Sequence, residues 1–283
     1  MIKNIKLNSG YEIPSFGYGT WQTPADVACD SVIAAIRTGF RHIDGAASYN
    51  NEQGVGEGIR RCIEDGIVTR DELFVTSKVW NTERGYDKTM RAFDKTQSDL
   101  GLDYVDLYLI HWPANPFQFD NWKQLNADTW RAMETLVKEG RIRSIGLSNF
   151  MPRHIKPLLE NAEIAPAVSQ IEFHPGWTQP ECVQFCKEQG MAVEAWSPLG
   201  GGGPLTQPTL VALAAKYGVS VPQLILQWVM GCGIIPLSKS VTPSRIEENF
   251  AAAGFTIEDE DLKTISALGY CGGKCRNPDL VPY

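Results

Sequence analysis

Short β-rich runs alternate along this chain with longer segments of helical period. The β runs are SFGYG at 15–19, RHI at 41–43, LFVTSKV at 73–79, VDLYLIHW at 105–112, IRSIGLS at 142–148, AVSQIEF at 167–173, MAVEAWS at 191–197 and GIIPLS at 233–238. Between them, residues 25–39 put Val27, Val32, Ile33 and Ile36 on one stripe and stop at Gly39, a residue suited to a helix C-cap. Residues 86–102 and 128–142 read the same way. Residues 180–190 begin near a proline and end in glycine, and 207–218 and 221–231 repeat that grammar. Eight β runs alternating with helices predict an α/β fold with a parallel sheet. At 283 residues, with no linker and no break in composition, a single domain over 1–283 closed as a (β/α)8 TIM barrel is expected. An open doubly wound sheet is the alternative. The alternation in MIKNIKLNSGYEIP predicts a short β-hairpin ahead of the barrel, with no apolar leader segment.

Composition narrows the partners. Apolar residues make up 43% of the chain, enough for a large core, while the net charge is −7. An acidic protein lacks the basic face of a duplex binder, so neither nucleic acid nor an anionic membrane surface is expected as a partner. No run approaches the ~20 apolar residues of a membrane span. Seven scattered cysteines, an odd number, suit free thiols in a reducing cytoplasm. CGGKC at 271–275 reads as a glycine-rich tail with two thiols, since no second Cys or His pair stands near it. His42, His111, His154 and His174 show no ligand spacing and HExxH is absent, so no metal is expected.

In a barrel the active site lies at the C-terminal ends of the strands. The second run ends at Asp44, with Tyr49 five residues on; the third carries Lys78, and the fourth ends in His111 and Trp112. Ser148 and Asn149 follow the fifth, Gln170 and Glu172 lie in the sixth, Trp196 and Ser197 end the seventh, and Lys239 and Ser240 follow the eighth. Singly, a strand-end Asp is a turn or cap, a Lys is solvated and a His is core. Jointly, they converge on one mouth. An ammonium beside a phenol lowers its pKa from ~10. An aspartate would keep that ammonium charged and fixed. Such a phenol is a general acid near neutral pH, and a histidine can orient a carbonyl oxygen or share the proton. No carboxylate pair, metal set or G-x-S-x-G elbow competes with this reading. The residues point to proton donation to a carbonyl, with electrons from elsewhere.

Three stretches, GFRHIDGAASYNNEQGVG (39–56), MPRHIKPLLENAEIAPAVSQIEFHP (151–175) and KSVTPSRIEEN (239–249), resemble the aldo-keto reductase family, in its order and across nearly the whole chain. The resemblance implies a (β/α)8 barrel behind an N-terminal hairpin and carbonyl reduction by NAD(P)H. It makes Tyr49 the proton donor, with Lys78 and Asp44 tuning it and His111 positioning the carbonyl. Gly19, Thr20 and Trp21 would sit by the nicotinamide, and Ser148, Asn149 and Gln170 would hold its carboxamide. Trp196 would stack on the ring; many relatives have tyrosine there, and tryptophan is similar to the 2,5-diketo-gluconate reductase and prostaglandin F synthase-like branch. Ser197, at the end of the seventh strand, and Leu199, in the glycine-rich loop 198–204 that follows, would lie over the diphosphate. Lys239, Ser240, Val241, Thr242 and Arg245 would take a 2′-phosphate, which favours NADPH (NADP+) over NADH, with Glu248 and Asn249 at the adenine.

The same resemblance implies a substrate mouth walled by Trp21, Trp80 and Trp112, with Phe117, Phe119 and Trp122 nearby in the loop after the fourth strand. That loop and the tail, residues 268–283, are short, which implies an open pocket and small carbonyl substrates over a broad range; family members of this size imply a monomer. VGEGIR at 55–60 is no dinucleotide fingerprint; its glycines suit close helix packing. Two other classes remain: a catalytically silent, cofactor-sensing barrel, and a hydrolase or isomerase built on Asp44 and His111, which leaves 239–249 unexplained.

Overall fold

This computed structural model describes residues 2–281; the expectations that reach residue 1 and residues 282 and 283 of the tail lie outside the described residues. Strands β1 (Asn4–Lys6) and β2 (Glu12–Pro14) form the N-terminal antiparallel hairpin, with Ile5 opposite Ile13. Eight parallel strands follow: β3 (Gly17–Gly19), β4 (His42–Asp44), β5 (Phe74–Val79), β6 (Val105–Ile110), β7 (Ile142–Ser148), β8 (Val168–Glu172), β9 (Ala192–Trp196) and β10 (Ile235–Ser238). They pair in chain order, and β10 closes on β3. The expected barrel and hairpin are present, and the open-sheet alternative is not.

Helices α1 (Ala25–Thr38), α2 (Glu52–Glu64), α3 (Tyr86–Leu100), α4 (Trp122–Lys138), α5 (Pro152–Leu159), α6 (Pro180–Glu188), α7 (Pro208–Tyr217), α8 (Val221–Gly231), α9 (Pro243–Phe250) and α10 (Asp259–Ser266) surround the barrel. No single helix among the described residues is long and apolar enough to cross a membrane. Helix α4 begins six residues before the segment read from its period. Its first turns hold polar residues that dilute the apolar stripe, among them Asn126, whose side chain bonds both the N–H and the C=O of Ala114. Helix α2 was not legible as a helix, because Gly54, Gly56 and Gly58 interrupt it. Packing makes it form. A Cβ on Gly56 would overlap the Leu100 carbonyl, and one on Gly58 would meet Cys29 O at 2.7 Å, so these glycines let α2 close against α3 and α1, as their spacing suggested.

The strands sort their side chains by parity. Val75, Val79, Tyr108, Ile110, Ile145, Leu147, Ile171 and Val193 point outward into the large core beneath the helices. Phe74, Leu107, Leu109, Val168 and Ile235 point inward and join Leu7 and Ile13 of the hairpin region. The hairpin therefore plugs the end where the strands begin. Along the same inward rows the residues then turn polar: Phe74 gives way to Thr76 and Lys78, and Val168 to Gln170 and Glu172.

Midway up the barrel sit two buried titratable groups. Glu194 accepts from Gln170 Nε2 at 2.8 Å, and its other oxygen is 3.5 Å from His42 Nε2, which also meets Thr76 Oγ1 at 3.2 Å. Burial, then the charge of Asp44, pushes the Glu194 carboxyl up to about 8. Burial, then Lys78, pushes His42 down to about 3. Burial thus favours the neutral form of each group; Gln170 and Thr76 hydrogen-bond them, while Glu194 Oε1, which faces His42 Nε2 at 3.5 Å, has no hydrogen-bond partner of its own.

Two predictions follow from this packing. Gly56→Ala gains about 1 kcal/mol of helix propensity but forces α2 off a backbone carbonyl that cannot rotate aside. The expected net result is a loss of about 1–3 kcal/mol in urea unfolding, with Gly254→Ala, where a Cβ meets nothing within 4 Å, as the neutral control. Glu194 has a folded pKa above its unfolded value of 4.5, so its contribution is full below pH 4.5 and is lost as pH rises through about 8. Glu194→Gln should remove that decline, with a Tm at pH 9 exceeding the parent's by about 2–4 °C or more. Parallel Tm curves for parent and variant from pH 5 to 9 would show that Glu194 is ionised throughout.

Candidate active site

The inward row of β5 ends in Lys78, which is fully buried. An ammonium in that position needs acceptors on every side. Lys78 Nζ donates to Asp44 Oδ1 at 2.7 Å and Oδ2 at 2.9 Å, to Gly45 O at 2.9 Å and to Tyr49 Oη at 3.3 Å. Asp44 is delivered by the end of β4, and a one-turn 3-10 segment, Ala47–Tyr49, brings the phenol back over the barrel. That turn closes with Asn50 in the left-handed region at φ 55°. Asn51 then donates to Thr20 O and Thr23 O, both at 2.9 Å, which pins the start of α2 to the loop after β3.

Burial works against the Lys78 ammonium, but Asp44 and then Tyr49 more than offset it, and its pKa moves up. Tyr49 departs from the sequence argument. Its pKa is raised: burial outweighs the ammonium, and the charge of Asp44 adds to the rise. The expectation of a phenol drawn down by its lysine is corrected, because the site is drier than a single neighbouring charge can offset. His111 is held well below its ordinary value by burial and then by Lys78, so it is a neutral imidazole. Its ring lies 5.7 Å from that of Tyr49 and 5.0 Å from that of Trp80, both edge-on, and its Nδ1 is 3.4 Å from Ser48 Oγ.

These groups open into a cavity of about 490 Å³. Asp44, Tyr49 and His111 are at its base, and Lys78 lies just behind them. Trp21, Trp80 and Trp112 are on its walls, as expected. Phe117, Phe119 and Trp122 do not line it: Phe117 is exposed, and Trp122 starts α4 with its ring edge-on to His154.

The cofactor residues named from sequence divide into three groups. Gly19, Trp21, Ser148, Asn149, Gln170, Trp196, Ser197, Leu199 and Lys239 line the cavity. Thr20 does not; it is buried behind the wall, with its N–H and hydroxyl both donating to Asp44 O at 2.9 Å, so it braces Asp44. Ser240, Val241, Thr242, Arg245, Glu248 and Asn249 lie beyond the lining, on the turn after β10 and on α9. There Ser240 Oγ accepts from Thr242 N at 3.0 Å, Lys239 Nζ donates to Gln22 O at 3.1 Å, Arg245 is exposed and Asn249 is buried.

The donor set suits a planar amide over an aromatic ring. Gln170 Nε2 donates to Asp44 Oδ1 and Glu194 Oε2, which turns its Oε1 outward as an acceptor. Asn149 Nδ2 donates to His111 O and Ser148 Oγ, so the Ser148 proton is available to an incoming oxygen. Trp196 Nε1 donates to Asn149 Oδ1 at 2.8 Å, which fixes the plane of the indole. Asn149 and Ser197 hold left-handed φ of 64° and 51°, strain that clusters at this strand-end ring. In the loop above, Gly200, Gly201 and Gly202 all have positive φ, and a Cβ on Gly201 or Gly202 would meet open space. Two of their amides are already used within the loop, Gly200 N donating to Ser197 O at 2.8 Å and Gly202 N to Leu199 O at 3.0 Å, so the loop offers close backbone approach more than a ring of unpaired donors.

Residues of the C-terminal tail also reach the mouth. Lys274 and Arg276 line the cavity, which the sequence reading did not find. The tail is tied down by Lys274 N to Glu172 Oε1 at 2.6 Å and by Asp279, which bonds His154 Nε2 and Arg153 Nε, each at 2.7 Å. It also brings Cys275 to Glu172 and His174, with their ligand-type atoms within 4.8 Å of one another. The sequence reading had left that thiol without neighbours.

Comparison with known proteins agrees with this geometry. The Aldo/keto reductase family profile matches residues 15–269. A glyoxal reductase of Bacillus subtilis (strain 168) is 47% identical over 276 residues, covering 97% of this chain and 96% of that protein. An aldehyde reductase of Saccharomyces cerevisiae is 41% identical and covers 98% and 94%. The crystal structure of a Bombyx mori aldo-keto reductase in complex with NADP superposes with a TM-score of 0.86, at 38% identity over 94% of this chain and 92% of that one. A site with the donor set for a nicotinamide cofactor, in a barrel of this shape and with these relatives, leads to one assignment: the chain belongs to the aldo/keto reductase family of oxidoreductases.

Proposed function

We propose that this protein reduces small aldehydes and ketones to alcohols with NADPH, using Tyr49 as the proton donor. The observation that carries the reading is the direction of one hydrogen bond. Lysine has donors only, so Tyr49 Oη accepts from Lys78 Nζ, and the phenol's own proton is left to point into the cavity. Its raised pKa keeps that proton in place in the resting site. Neutral His111 has an N–H to offer the same carbonyl oxygen. Asp44 holds the ammonium still, and Lys78 stabilises the phenolate that remains once the proton has gone.

NADPH, when bound, supplies the hydride. Ser148, Asn149 and Gln170 would hold its carboxamide, with Gly19 and Trp21 nearby, Thr20 acting through Asp44, and Trp196 as the stacking surface. The backbone around Ser197 and Leu199 would receive the diphosphate. Lys239 and Arg245 supply cations, Ser240 and Thr242 hydroxyls and Val241 its backbone N–H for a 2′-phosphate, and Glu248 and Asn249 would face the adenine. The tryptophan walls suit small carbonyls over a broad range, and the glyoxal reductase relative supports aldehydes of that size. The seven unbridged cysteines support a cytoplasmic setting.

Tyr49→Phe should lower kcat by about 10²–10⁴-fold in a spectrophotometric assay with methylglyoxal, while tryptophan quenching still reports NADPH binding. Turnover at the parental rate would remove Tyr49 from the reaction. Arg245→Leu should raise the KM for NADPH by about 10-fold or more, the worth of a hydrogen bond to a charged group, and leave the KM for NADH unchanged. An equal rise for both coenzymes would place Arg245 away from the 2′-phosphate.

A further inference from the structure

Among the described residues that line the cavity, cations outnumber carboxylates. Asp44 is the sole carboxylate among the described residues that line it, and its oxygens are engaged by Lys78 and Gln170. Three cations share the wall: Lys239, Lys274 and Arg276. Lys239 sits beside the turn that leads into α9, the cofactor side. The other two arrive from the C-terminal tail, in a protein whose net charge is −7. We propose that Lys274 and Arg276 form an anion subsite at the substrate mouth, and that the preferred carbonyls carry a carboxylate or phosphate a short distance from the reacting carbon. This rests on the reductase reading above and names its substrate class.

Placement supports it. Lys274 Nζ stands 4.3 Å over the ring of Trp21, so its charge is held against a substrate wall. The tail is anchored on both sides of the two cations. Upstream, Cys271 Sγ donates to Pro175 O at 3.1 Å, and Lys274 N bonds Glu172. Downstream, Asn115 Nδ2 donates to Pro278 O at 3.3 Å, and Asp279 is bonded by His154 and Arg153. Between the anchors Gly273 bends at φ 95°, where a Cβ would overlap the His174 imidazole, so the chain passes there only as glycine. The backbone is fixed while both side chains remain exposed at the mouth. An ammonium and a guanidinium over a low-dielectric aromatic cleft focus field on an incoming anion. The guanidinium can also meet a carboxylate or phosphate with two parallel hydrogen bonds.

The test compares 4-carboxybenzaldehyde with benzaldehyde in the parent, Lys274→Met, Arg276→Met and the double variant, with NADPH affinity measured by tryptophan quenching. Glyceraldehyde 3-phosphate against glyceraldehyde gives the phosphate arm. The ratio of kcat/KM, anionic over neutral, should fall by about 10-fold or more in the double variant, mainly through KM, at about 1.4 kcal/mol per tenfold. In the parent the same ratio should fall with added salt. A ratio that does not move in the variants overturns the subsite. A matching loss of NADPH affinity also overturns it, because the cations would then serve the cofactor diphosphate. If no carbonyl is turned over, the reductase reading fails separately. The subsite is then judged in NADPH-loaded protein by 4-carboxybenzyl alcohol against benzyl alcohol, where equal affinities reject it.

Discussion

Everything at the mouth of this barrel depends on one buried cation. Lys78 has no contact with water, and its ammonium is satisfied by two carboxylate oxygens, a carbonyl and a phenol. Removing one member of such a set leaves an uncompensated charge in a dry interior, which costs about 3–5 kcal/mol. The arrangement therefore fixes more than a side chain. It fixes the end of β4, through Asp44, and the turn that follows, through Gly45 O and Tyr49. Thr20 and Gln170 brace Asp44 from β3 and β8, so four strands of the barrel meet on one ion pair.

The strand parity that puts Lys78 there also divides the molecule's tasks. Outward residues pack under the helices and supply most of the apolar burial. Inward residues form a column that begins apolar at the hairpin plug, passes through the neutral Glu194 and His42 layer, and ends charged at the mouth. Glu194 links the levels. By taking one N–H of Gln170 it leaves the other to Asp44 and turns the amide oxygen toward the cavity. A protonated carboxyl does this without setting a second negative charge beside Asp44, which is why burial and Asp44 both raise its pKa.

What could be read in advance follows from locality. Period-2 runs, their order and the residues at their ends are local properties, so the barrel and Asp44, Tyr49, Lys78 and His111 were all legible. Burial is not local. The Tyr49 shift came out opposite in sign because sequence spacing reveals a neighbouring lysine but not how much water the fold removes. Helix α2 was hidden by its glycines: their spacing suits close helix packing, but the partners they meet, Leu100 and Cys29, are set only by the fold. Thr20 looked like a cavity residue by position along the chain, yet its hydroxyl turns inward to Asp44 O. The tail was hardest to place. Lys274 and Arg276 reach the mouth because Asp279 pairs with a histidine 125 positions earlier, and no pattern in a short glycine-rich segment signals that.

If Tyr49 is the proton donor, as proposed, its raised pKa also accounts for how the lysine can help a proton leave. A phenol already ionised at rest would have nothing to donate. Here burial keeps the resting group neutral, and the ammonium at 3.3 Å meets only a dipole. On that proposal, once the proton had moved to substrate oxygen the same ammonium would face a full negative charge in the same largely buried surroundings, where Coulomb attraction is strong. The interaction thus grows along the reaction, and only such growth lowers a barrier. Because Asp44 and Gly45 O already hold the ammonium, no reorientation is needed as the charge develops. The burial that raises the ground-state pKa and the pre-set dipoles that would stabilise a phenolate are one structural feature, the polar end of the barrel at the base of the cavity.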